Sequence, residues 1–104
     1  MTREEILAME PGRELDKLVF IFVMGGRIPE PPLRARIMNF SSDISASWEV
    51  VENMQKTNLV RLSVNEGDYI CKIGGDLLCY TSFGKTMPEA ICKAALLAIL
   101  PGEE

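Results

Sequence analysis

The chain has 104 residues, with 15 acidic and 11 basic side chains, a formal charge of −4 and no histidine. Hydrophobic residues make up 47% and charged residues 25%, which excludes disordered and low-complexity classes and predicts one domain spanning residues 1–104 with a single core. The acidic balance argues against a nucleic-acid partner, and the longest apolar run, Leu18 to Met24, falls far short of the ~20 residues that cross a membrane.

In chain order, Glu4 and Glu5 read as part of a frayed terminus. Pro11 to Met24 predicts the first helix. Pro11 suits its first turn, Leu15, Leu18, Val19 and Phe22 form an apolar stripe, and Gly25-Gly26 supplies a left-handed stop. Pro29, Pro31 and Pro32 then forbid a helix and mark the segment to Phe40 as an irregular loop. Ser42 or Asp43 caps a second helix that runs to about Lys56. Ile44, Trp48 and Val51 are placed on its inner face, with Glu49, Glu52, Asn53 and Lys56 opposite.

Period-two alternation then takes over. Val60 to Val64, Tyr69 to Ile73 and Leu77 to Ser82 predict three strands, joined at Asn65-Glu66-Gly67-Asp68 and Gly74-Gly75-Asp76. The first turn sets a register that pairs Val64 with Tyr69, Leu62 with Cys71 and Arg61 with Lys72. Thr86 caps the last helix in a Thr-x-x-Glu box with Glu89, and Pro101-Gly102 ends it. The predicted class is α+β in the order α-α-β-β-β-α, an antiparallel three-stranded meander packed with helices as an α-β-α sandwich.

Chemistry-bearing motifs are scarce. Cys71, Cys79 and Cys92 show no Cys-x-x-Cys spacing, and with no histidine no metal site or cofactor is expected. Each cysteine reads as a small buried hydrophobe in a reduced cytoplasmic protein. Gly84-Lys85-Thr86 has the end of a phosphate-binding loop, but Cys79 stands where its first glycine belongs, so Thr86 reads as a cap. No nucleophile has a histidine base. The pairs Glu14/Asp16 and Glu49/Glu52 read as solvated surface. The chain is therefore not expected to be an enzyme.

Two features are left over. The polar stripes of the end helices turn apolar: Glu89 and Lys93 lead to Leu96, Leu97 and Leu100, and Arg13, Asp16 and Lys17 lead to Phe20, Ile21 and Met24. Such ends are covered within the chain, or they form a homo-oligomer interface through Phe20, Ile21, Leu96, Leu97 and Leu100. The second feature is the pairing of like charges at Arg61 and Lys72, which suggests an anion site with Arg34 and Arg36 as helpers.

Three blocks carry a family resemblance: Pro11-Gly12-Arg13-Glu14-Leu15-Asp16 through Val23-Met24-Gly25, Phe40 through Glu52, and Thr86 through Ala98. Together they resemble the phage ABA sandwich domain, collinearly over nearly the whole chain. Phe40, Ser42 and Gly26 stand where that family usually has Tyr, Thr and often Trp. The resemblance implies a bacteriophage protein in the cytosol of an infected bacterium. By analogy with other small phage proteins, it suggests a non-catalytic oligomer that sequesters a small anionic, nucleotide-derived signal of host immunity. The alternatives are a protein-interaction module that inhibits a host defence factor, and a structural or regulatory protein with no ligand. A ligand site is expected where Met24-Gly25, Phe40, Ser41, Ser42, Asp43 and Trp48 meet, with Arg34, Arg36, Arg61 and Lys72 supplying charge.

Overall fold

The computed structural model describes residues 3–25, 38–74 and 79–100. Helix α1 spans Arg3–Ala8, α2 spans Arg13–Leu18 and runs on as a π-helix over Val19–Val23, α3 spans Ile44–Gln55 and α4 spans Met87–Ile99. Strands β1 (Leu59–Asn65), β2 (Asp68–Gly74) and β3 (Cys79–Gly84) form one antiparallel meander in that order. The class and the order of elements are those read from the sequence, with the short α1 in addition. The third predicted strand lies two residues further along, and residues 75–78 lie outside the described residues.

The first hairpin has the expected register, with Arg61 opposite Lys72 and Val64 opposite Tyr69. Glu66 and Gly67 both adopt positive φ, 49° and 88°. That is the mirror-image turn whose twist matches the flanking strands. Two helix caps also form as predicted. Asp43 accepts from the Ser45 amide at 2.9 Å, and Thr86 Oγ1 accepts from the Glu89 amide at 3.4 Å. The Glu89 carboxylate, however, accepts from Lys85 N at 3.0 Å, one residue ahead of the cap.

Helix α4 is the centre of the molecule. Pro88 to Leu97 are all buried, between the sheet on one side and α1, α3 and the α2–π helix on the others. Ser82 Oγ donates to Ala90 O. A Cβ on Gly84 would stand 3.0 Å from Ala90 N. The glycine of the apparent phosphate-loop remnant is thus there to let β3 meet α4 closely.

Four expectations about helix faces are corrected. Glu89 and Lys93 are not a solvated stripe. Their side chains pair at 2.7 Å, both buried, and Lys93 Nζ also donates to Leu7 O at 2.9 Å. That bond pins α1, whose Ile6 is wholly buried, over the face that seemed to need a partner. Leu96 and Leu97 consequently lie in the core, while Phe20 and Leu100 are half-buried against it. Of the five positions named for an interface, Leu96 and Leu97 are thus internal, and Phe20, Ile21 and Leu100 are half-buried.

On α3, the buried face is Ala46, Ser47, Val50, Val51 and Met54, whereas Ile44 and Trp48 are exposed. Ser47 can face inward because its hydroxyl donates to Ile44 O at 2.9 Å, and its small side chain lets α3 approach its neighbours. Phe22, placed in the first helix's inner stripe, is exposed as well. Its turn closes i→i+5, as in Met24 N to Val19 O at 3.0 Å, and this wider turn moves residues off the 100° spacing that the stripe assumes. Finally, Asp16 is buried rather than solvated.

Breaking the Glu89–Lys93 pair leaves a carboxylate buried without its cation and releases α1. Lys93→Met should therefore lower unfolding stability by about 3 kcal/mol in urea denaturation. Adding Glu89→Gln should restore part of the loss. A change under about 1 kcal/mol in the single variant would contradict this account.

Candidate functional site

Helices α3 and α4 pack on one face of the sheet and the other helices pack on α4, so among the described residues no helix covers the other face. Strand alternation decides what it presents. The inner face carries Val60 and Leu62, Tyr69, Cys71 and Ile73, and Tyr80 and Ser82. The outer face carries Leu59, Arg61 and Ser63 on β1, Ile70 and Lys72 on β2, and Cys79, Thr81 and Phe83 on β3. Leu59 is 59% and Phe83 56% exposed, and neither belongs to the core.

The register arranges these side chains in rows across all three strands. Arg61, Lys72 and Thr81 form the central row, and Ser63, Ile70 and Phe83 form the next. Neighbours within a row are about 5 Å apart and successive rows about 7 Å. Arg61 and Lys72 are exposed, and among the described residues neither pairs with a carboxylate. Among the described residues the nearest acid on that face, Asp68, lies four residues along β2 from Lys72, about 13 Å away. Two cations, unneutralised among the described residues, therefore sit beside a hydroxyl and one row from an aromatic ring. That arrangement suits an anion attached to a flat ring.

The remaining expected site residues are dispersed. Arg34 and Arg36 lie outside the described residues. Phe40 and Ser41 are buried and unavailable to a ligand. Ser41 instead forms a clamp: its amide and hydroxyl donate to Asp16 Oδ1 at 2.7 and 2.6 Å, and its Oγ accepts from Gly12 N at 2.9 Å. The clamp fastens the loop before α3 to the start of α2.

Met24 and Gly25 lie at the opposite end of the α2–π helix, roughly 16 Å away by helical rise. There Asn53 Nδ2 donates to Val23 O at 2.8 Å. The point of convergence expected for Met24-Gly25, Phe40–Asp43 and Trp48 therefore does not form. Ser42 and Asp43 are exposed at the start of α3, where Asp43 places its own carboxylate on the free amide that an anion would use. Beside them Ile44, Ser45 and Trp48 line an open depression of about 320 Å³. Trp48, expected in the core, is 47% exposed, on a helix that packs against the other face of the sheet from Arg61 and Lys72.

Sequence reasoning found Arg61 and Lys72 but missed Thr81 and Phe83. Once the third strand is in register, its alternation puts both on the face of the cations. Among the described residues no three His, Cys, Asp or Glu side chains gather as a metal group, and no helix is long and apolar enough to cross a membrane.

Residues 23–96 match the phage ABA sandwich domain. The chain belongs to this family. A 2.0 Å crystal structure of a phage protein from Bacillus cereus ATCC 14579 shares its fold. The TM-score is 0.72 at 28% identity, over 88% of this chain and 94% of that one. No curated protein matches. This phage ABA sandwich domain protein has the α+β class and the order of elements that its sequence resemblance implied, and among the described residues its helices lie on one side of the sheet.

Its cysteines divide by face. Cys71 and Cys92 are buried in the core, and Cys79 is exposed on the outer face, contrary to the expectation that all three are internal. Burial, with a smaller contribution from Cys79, pushes the Cys71 thiol up to about 12. Cys92 is raised by burial first, then by Asp16 and Cys71. Both core thiols stay protonated at neutral pH, and thiolate is the reactive form. Titration of the native protein with a thiol reagent at pH 8 should show one fast cysteine per chain, and three after unfolding. Two fast thiols in the native protein would contradict the inward facing of Cys71 or Cys92.

Proposed function

We propose that this phage protein is a non-catalytic binding protein that sequesters a small anionic nucleotide-type ligand in the cytosol of the infected bacterium. The observation that carries this reading is the Arg61–Lys72–Thr81 row, unneutralised among the described residues, with Phe83 one row away. Arginine and lysine take the phosphates as charge-assisted donors, Thr81 and Ser63 add hydroxyls, and the Phe83 ring stacks against the base. Binding without turnover is supported by the same residues. The row offers charge and donors but no nucleophile–base pair, and the chain has no histidine.

Magnitudes set the scale. Each hydrogen bond to a charged group contributes about 1.5–3 kcal/mol and a stacked base about 1–3 kcal/mol. Two such bonds and one stack total about 4–9 kcal/mol, which spans millimolar to micromolar dissociation constants. Arg34 and Arg36, proposed from the sequence as further phosphate contacts, would raise that affinity.

Calorimetry with ATP, ADP-ribose and cyclic dinucleotides tests the reading. A saturable heat should appear for at least one of them, with the ligand recovered intact. Arg61→Ala and Lys72→Ala should each weaken binding about tenfold or more and flatten its salt dependence. Unchanged affinity in both variants, or no heat with any nucleotide, would overturn it.

A second reading, a protein-interaction module, is favoured by one observation. Trp48 and Ile44 are exposed beside Glu49 and Glu52 on α3. Trp48 is the chain's one tryptophan, so its emission reports on that surface. A partner seated on α3 should shift the emission to shorter wavelength in host lysate fractions, and Trp48→Ala should abolish retention of that partner. A nucleotide on the sheet should leave the emission maximum unchanged.

A further inference from the structure

We infer that two copies of the chain close their bare sheet faces around one polyanionic ligand, so that pairing depends on the ligand. This rests on the sheet-face reading above and adds the second copy that completes the site.

Three observations lead to it. First, the central cation row is flanked by apolar side chains that the chain leaves uncovered: Leu59 at 59% exposure, Phe83 at 56%, and half-buried Ile70. Another apolar surface would bury them. Second, the face is small. Three strands about 4.8 Å apart and about seven residues long cover about 300 Å² per copy. Stable complexes bury about 800 Å² per partner, so apolar contact alone does not hold two copies together.

Third, the charges oppose the pairing. Packing sheet on sheet at about 10 Å brings Arg61 and Lys72 of one copy towards the same pair of the other, with no described carboxylate on that row to neutralise them. A polyanion between the sheets reverses the sign of this term. Its phosphates meet four cations instead of two, and the repulsion that kept the copies apart becomes the attraction that joins them. The same event covers Leu59, Ile70 and Phe83. A two-fold axis through the row lets each copy contribute identical contacts. Sharing one ligand between two faces also lifts the affinity above that of a single row.

Sedimentation velocity and calorimetry on the full chain, with ATP and inorganic tripolyphosphate as probes, test this. The free protein should sediment at 11.6 kDa. Saturation should move it to about 23 kDa, twice that value, with one ligand per two chains and a shift that weakens as salt rises. Leu59→Asn removes apolar area outside the core without adding charge beside the cations, and should leave the fold intact. In this variant the ligand should bind one per chain, about tenfold or more weaker, with no change in mass.

Wild-type binding at one per chain with the mass unchanged would overturn the pairing while leaving the site in place. A dimer that forms without ligand would also overturn it. Absence of binding by either probe, with unchanged mass, would remove the pairing together with the sheet-face reading.

Discussion

The structure depends on the burial of one helix. Helix α4 carries a glutamate and a lysine among small and aliphatic residues, yet it is covered from Pro88 to Leu97. Burying a charge is costly unless it is paired and hydrogen-bonded. Here Glu89 and Lys93 meet at 2.7 Å, and Leu7 O takes a further donor bond from Lys93. The arrangement commits α1 to α4, closes the core around that helix and uses the described helices on one side of the sheet. An outer face that no described helix covers is the consequence. What the sheet exposes follows from where the helices are needed.

What the sequence revealed divides by the range of the interaction. Local chemistry was legible. Asp43 and Thr86 cap their helices, Gly25 takes the left-handed conformation at φ 70°, and the hairpin turn fixed the pairing of Arg61 with Lys72. Each depends on a few neighbouring residues. Helix faces were less legible, because a face is buried by what packs on it. Glu89 and Lys93 are polar and internal, while Ile44 and Trp48 are apolar and exposed. Periodicity assigns both pairs to the wrong side. The π-turn at Val19–Val23 rotates Phe22 outward for a similar reason, and α1, at six residues, is too short to show a period.

The candidate site shows the same division. Arg61 and Lys72 were found through register alone. Phe40 and Ser41 sit at a helix start beside the irregular loop, in a block that resembles the family, yet the block owes much of its pattern to structure: Ser41 clamps Gly12 and Asp16. A motif beside a loop is not by that fact a site. The outer sheet face had no sequence motif, because its residues are spread over three strands and meet only through pairing. Two surfaces result, a cationic row on the sheet and the Trp48 depression on α3, and they differ in charge and in the partner each suits.

The central claim is that the ligand lies on the sheet. Two-dimensional amide NMR of the isotopically labelled protein, titrated with ATP, tests it most directly. The account predicts that the shifts concentrate at Arg61, Ser63, Ile70, Lys72, Thr81 and Phe83, with the α3 amides around Trp48 unmoved. Shifts that cluster at Ile44, Ser45 and Trp48 while the strand amides stay in place would contradict it.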